Sequence, residues 1–168
     1  MPRNPDKTTP QEAIGALLRG SSKTLCAAES CTGGLISHSI TTIPGASEYY
    51  LGSVTSYAVR IKERLLNVPA QTVESNGIVS SEVARAMAEG VRALMHSTYS
   101  VATTGWADAY GDEHEPAGTC WIAVSGPLGT RAKKSSSHRG RVTNIRHFAR
   151  TALRFLADYI TEAEDLGL

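Results

Sequence analysis

Apolar positions recur at helical spacing from Gln11 to Arg19, where Ala13, Ile14, Leu17 and Leu18 share one side and Thr8 or Thr9 can cap ahead of Pro10. The run Thr24 to Ala28 predicts a buried strand. Helical spacing resumes at Thr32 and continues through Leu35, Ile36 and Ile40 until Pro44-Gly45 ends it. Tyr49 to Ala58 is aromatic and β-branched enough for a strand, and Arg60 to Leu66 predicts one or two helical turns. NVPAQTVESNG is expected to be a loop. The clearest helix is Ser80 to Met95, with Ser81 as cap and Val83, Ala84, Met87, Val91 and Leu94 along one side. Tyr99 to Thr103 and Thr119 to Val124 read as strands around a polar loop, followed by a weak strand near Arg131 and an amphipathic helix from Asn144 to Ile160. Strands and helices alternate, which predicts a layered α/β domain with a mostly parallel sheet.

Composition narrows the function. The chain of 168 residues has the size of one compact domain. The polar, Pro-rich segment 1–10 is read as a flexible leader and 11–168 as the single domain. A net charge of +1 argues against a dedicated nucleic-acid binder, which carries a basic excess. Cys26, Cys31 and Cys120 form no CxxC pair, so neither a disulfide scaffold nor a zinc knuckle is suggested. No apolar run approaches the roughly 20 residues of a membrane span, and the start is not signal-like. Cytoplasmic location, no membrane and no nucleic-acid partner are the resulting expectations.

The candidate chemistry lies in AESCTGG, between the first strand and the next helix. Ligands in α/β folds bind at carboxyl ends of strands, where helix N-termini offer free N–H groups. Ser30 would stand at such an end, and Thr32, Gly33 and Gly34 let the backbone turn closely and aim N–H groups at a ligand. Ser30 and Thr32 also suit plain helix capping. A serine hydroxyl needs a base. His38, His96, His114, His138 and His147 show no triad or HExxH spacing, and DEHE at Asp112 to Glu115 suits a solvated acidic loop better than a metal. Lys62 remains, since burial beside a hydroxyl lowers a lysine's proton affinity. Tyr57 either orients it or is an ordinary strand aromatic. Glu29 either faces water or steadies Lys62. Cys31 is expected to be a small buried residue, and Arg146, Arg150 and Arg154 a solvated helix face.

The blocks AESCTGGLISHSITTIPGASEYYLGSVTSYAVRIKERLLNV, GIVSSEVARAMAEGVRAL and TTGWA resemble the CinA C-terminal domain family over about Gln11 to Ile160. The resemblance implies a three-layer α/β/α sandwich with a mixed, mostly parallel sheet. It also implies a nicotinamide-nucleotide amidohydrolase that needs no metal or cofactor. Ser30 and Lys62 would be the catalytic pair, with Tyr57 beside them. Glu29, Thr32, Gly33, Gly34, Thr104, Gly105 and Arg141 would border a small nucleotide substrate, and the protein would be a homo-oligomer.

Two stretches depart from the family pattern. After TG the family continues IAGPGG and then KPVG, whereas this chain has TGWADAYGDEHEPAGTCW: Trp106 replaces a smaller aliphatic residue, Asp108 and Ala109 replace glycine and proline, and Glu115 replaces lysine. Added carboxylates there would repel a phosphate. Near the C-terminus, Val142 falls where the family has its first arginine, and Arg141 or Arg139 would substitute, with a one-residue slip turning the side chain to the other face if the segment were a strand. The alternative to the amidohydrolase is a weak or inactive paralogue that binds a related nucleotide or a protein partner. Nucleic-acid binding through Arg131, Lys133, Lys134, Arg139 and Arg141 ranks last.

Overall fold

The computed structural model describes residues 8–168, so most of the leader lies outside the described residues. Its last residues begin the first helix, α1 (Pro10–Leu18): Thr9 and Glu12 form a reciprocal capping box and Pro10 occupies the first helical position. β1 (Leu25–Glu29) follows, with all five residues buried. A tight turn leads to α2 (Leu35–Thr41), then a single 3₁₀ turn at Ala46–Glu48 and β2 (Tyr50–Thr55). Next come α3 (Val59–Leu66), α4 (Ala70–Asn76) and α5 (Ser81–Met95). β3 (Tyr99–Trp106), β4 (Thr119–Gly126), β5 (Gly129–Ser136) and α6 (Arg141–Asp165) complete the chain.

The strands form one sheet in the order β2-β1-β3-β4-β5. β1 pairs parallel with both β2 and β3, while β4 and β5 add antiparallel pairs, so the sheet is mixed. Alternation along the strands divides the core. Leu25, Ala27, Val101, Ile122 and Val124 face α1, α2 and α6, whereas Cys26, Ala28, Ala102 and Ala123 face α3 and α5. This is the expected α/β/α sandwich, and coverage on both faces explains why β1 is buried throughout and apolar from Leu25 to Ala28 rather than alternating. Gly90 sits where α5 touches α3, and a Cβ there would collide with the Leu66 carbonyl oxygen.

Several boundaries differ from expectation. The supposed loop after Asn67 contains α4, which has no fully buried residue and therefore no apolar period to read. Ser80, not Ser81, caps α5, its Oγ accepting from Val83 N. β5 is a full eight-residue strand, and α6 starts at Arg141 and runs 25 residues. β2 stops at Thr55, so Ser56, Tyr57 and Ala58 leave the sheet. That early exit matters for the site, because Ser56 N donates to the Glu29 carbonyl (2.8 Å) and keeps the departing chain against the end of β1.

Candidate active site

Three parallel strands end together, and the turn after β1 places Ser30 at their carboxyl edge, its N–H bonded to the Thr103 carbonyl (3.1 Å). Lys62, on the first turns of α3, extends back to it. Lys62 Nζ is 2.9 Å from Ser30 Oγ, 2.5 Å from the Ser56 carbonyl and 3.4 Å from the Tyr57 carbonyl. The residue is only 1% exposed, and among the described residues no carboxylate forms an ion pair with it. Burial therefore pushes its ammonium down from 10.5 to about 8. A neutral amine has two N–H donors and one lone pair. With both carbonyls accepting those donors, the lone pair is left for the Ser30 hydroxyl proton.

The low proton affinity also has a stability consequence. The unfolded chain binds this proton more tightly than the folded one, so between about pH 8 and 10.5 stability rises with pH, and below that window the folded state carries the full cost of a buried cation. Relative to Lys62→Met, the wild type is expected to gain about 1.3 kcal/mol between pH 7 and pH 9. Urea unfolding of both proteins at the two pH values measures this difference, and an equal pH response would exclude it.

The turn itself is held by Glu29, which is fully buried and not at the pocket wall. Its Oε2 accepts from Thr32 Oγ1 (2.7 Å), Gly34 N (3.1 Å) and Ile36 N (3.0 Å), and its Oε1 from Ser37 N (2.8 Å). Gly34, left-handed at φ 100, offers no capping side chain, so a strand-end carboxylate caps α2 instead. Glu29 thus neither faces water nor steadies Lys62. Thr32 bonds to Glu29 and Thr103, and Gly33 N donates to the Ser30 carbonyl. Thr32, Gly33 and Gly34 line a separate shallow surface and do not border the pocket at Ser30. Among the described residues the N–H groups of Cys31 and Thr32 have no hydrogen-bond partner, and of the two residues only Cys31 lines the pocket at Ser30, so its N–H is the oxyanion donor that this turn can offer.

A cavity of about 360 Å³ opens onto Ser30 and Lys62, within the range of small-molecule sites. Thr104 and Gly105 line it, with Val59, Ile78 and Val79 as further wall. Thr104 Oγ1 is committed to the Ile78 carbonyl (2.8 Å). Cys31 is buried, its Sγ 3.6 Å from that of Cys120. None of the five histidines lines the cavity. The Tyr57 side chain is 59% exposed at the rim and does not orient Lys62; its backbone carbonyl does. Its hydroxyl instead accepts from Arg141 (2.9 Å).

The profile of the CinA C-terminal domain matches residues 7–160. The chain belongs to the CinA C-terminal domain family. CinA-like proteins of Gloeobacter violaceus (40% identical, covering 97% of this chain and 39% of that one) and Desulfosudis oleivorans (41%, covering 85% and 35%) are among its relatives. The chain spans little more than a third of the length of these curated relatives. Solved structures match it over more than nine-tenths of its length. A competence damage-inducible protein A from Klebsiella pneumoniae is 26% identical with a TM-score of 0.86, covering 92% of this chain and 98% of that one. A competence/damage inducible protein from Agrobacterium tumefaciens is 28% identical with a TM-score of 0.80, covering 93% and 97%.

In this CinA domain the divergent loop brings one carboxylate, Asp108, to the cavity and turns the others away from it. Glu115 turns away, accepting from Trp121 Nε1 (2.7 Å) and pairing with Lys134 (2.5 Å). Asp112 Oδ1 accepts from the N–H groups of His114 and Glu115, so DEHE folds upon itself. Among the described residues no group of three or more His, Cys, Asp or Glu is placed to hold a metal. Only Trp106, Ala107, Asp108 and Tyr110 of the loop reach the cavity. Arg141 reaches it too, from the first turn of α6 rather than from a strand, while Val142 points elsewhere and Arg139 bonds to Ser137 and His147. The basic set is largely neutralised: Arg131 pairs with Glu162, Lys134 with Glu115 and Arg141 with Asp108. Arg146, Arg150 and Arg154 are exposed, as their spacing predicts. Among the described residues no helix is long and apolar enough to cross a membrane.

Sequence reasoning missed Asn144 and Ser56. Asn144 is 3% exposed, and its Nδ2 donates to the Ala107 carbonyl (3.0 Å), tying the loop to α6. Its only signal was a polar residue on the apolar side of a helix. Ser56 acts through its carbonyl, and a backbone group leaves no signature in side-chain type.

Proposed function

We propose that this domain hydrolyses the carboxamide of nicotinamide mononucleotide to nicotinic acid mononucleotide and ammonia, with Ser30 as nucleophile and Lys62 as base. One observation carries the reading: a lysine amine buried to 1% exposure stands 2.9 Å from a serine hydroxyl, its other two contacts being main-chain carbonyls. Family resemblance supplies the substrate. Tyr57, Trp106 and Tyr110 around the cavity suit a planar aromatic ring, and Arg141 at the rim suits a phosphate.

Neutral Lys62 takes the Ser30 proton while Oγ attacks the amide carbon, and the N–H group of Cys31 receives the developing oxyanion. The Lys62 ammonium then gives its proton to the leaving nitrogen, so ammonia departs neutral and an ester to Ser30 remains. Water, deprotonated by Lys62, cleaves that ester and restores the serine. This sequence requires no metal or cofactor. The reading places the domain in the cytoplasm as a homo-oligomer acting on a free nucleotide.

The test is ammonia release and acid-mononucleotide formation by wild type and Ser30→Ala side by side. Wild-type turnover is expected to fall by about 10³-fold or more in the variant. A well-folded wild type that releases no ammonia would turn the assignment to the inactive paralogue, which binds a nucleotide or a protein partner without chemistry.

A further inference from the structure

Besides Lys62, the charged residues lining the cavity are Arg141 and Asp108, and they are paired with each other. Arg141 donates to Asp108 Oδ2 (3.4 Å) and to the Tyr57 hydroxyl (2.9 Å). Asp108 is fixed on its other side, its Oδ1 accepting from Ala109 N (2.9 Å). The loop that bears it is anchored one residue earlier, where Asn144 of α6 donates to the Ala107 carbonyl. Loop and helix are therefore joined by a buried amide beside the ion pair, and the carboxylate does not need to search for its partner. Among the described residues the other cationic side chain of the cavity is Lys62, buried against Ser30 and two carbonyls, so an anionic group at the rim has Arg141 as its partner.

We propose that Asp108 is a specificity-determining residue that competes with the phosphate of a substrate for Arg141, so that the site discriminates little between a mononucleotide and the corresponding phosphate-free nucleoside. The proposal rests on this cavity being the substrate site assigned above. A phosphate approaching Arg141 must displace one carboxylate oxygen and then remain beside a like charge, whereas a nucleoside meets neither cost. Arg141 and Asp108 are about half exposed (45% and 56%), so screening keeps the effect moderate.

The experiment compares nicotinamide mononucleotide with nicotinamide riboside in wild type and Asp108→Asn. The ratio of kcat/KM for the phosphorylated over the phosphate-free substrate is expected to rise about tenfold in the variant, through KM, and the rise should shrink in about 1 M salt. The same two ligands are titrated calorimetrically into Ser30→Ala and Ser30→Ala/Asp108→Asn, where binding is read without chemistry. If wild type has no turnover but the binding ratio shifts about tenfold, the hydrolase assignment fails and this one stands. A binding ratio that Asp108→Asn does not move overturns it whatever the turnover, as does failure of the mononucleotide to bind either variant.

Discussion

Lys62→Met is expected to lower kcat by about 10³–10⁴-fold while the protein stays folded, because methionine fills the space of the aliphatic stem and removes only the base. Lys62→Arg should not rescue it, since a guanidinium keeps its proton at every working pH. In the wild type the same chemistry sets the pH dependence. The active form has the amine neutral, so kcat/KM should fall about tenfold per unit below the Lys62 value of about 8 and level off above it. Ser30→Ala and the double variant should lose about as much as either single change, since the two groups act as a unit. Steady-state rates from pH 6 to 10 check all of these. Turnover in Lys62→Met within tenfold of wild type, or a flat wild-type profile, would remove the lysine from the mechanism.

Glu29→Ala is expected to cost about 3–5 kcal/mol and to lower Tm by roughly 10 °C. The carboxylate satisfies three N–H donors at the start of α2 as well as the Thr32 hydroxyl, and it is fully buried, so water cannot replace it without opening the turn. Glu29→Gln keeps one acceptor oxygen and should lose about half as much. Because Ser30 is the next residue, kcat should fall along with stability in Glu29→Ala. Thermal unfolding of the three proteins decides the matter, and a Tm shift below about 2 °C in Glu29→Ala would show that the cap is not needed.

Glu29 also shows why one part of the site was legible and another was not. Its neighbours spell a strand, a turn and a helix start, and apolar periodicity located each correctly to within a few residues. A carboxylate at a strand end, however, has the same sequence signature whether it meets substrate, a lysine or a helix N-terminus. The choice depends on where α2 folds back, and hydrogen bonds to residues five to eight positions later settle it. Tyr57 repeats the lesson: its type suggested a hydroxyl beside Lys62, yet β2 ends at Thr55 and the side chain turns out to the rim, leaving the carbonyl inside.

The sequence by itself determined the alternation of strands and helices, the two-sided burial of β1, and a serine at a strand end with a lysine some thirty residues later. These follow from local period and residue chemistry. Only the tertiary structure decided that Lys62 Nζ meets Ser30 Oγ with no carboxylate among the described residues ion-paired to it, that Glu115 faces away from the cavity while Asp108 faces Arg141, and that α4 exists. Each of those depends on contacts between distant segments or on groups of the backbone, and neither is written in the order of side chains along the chain.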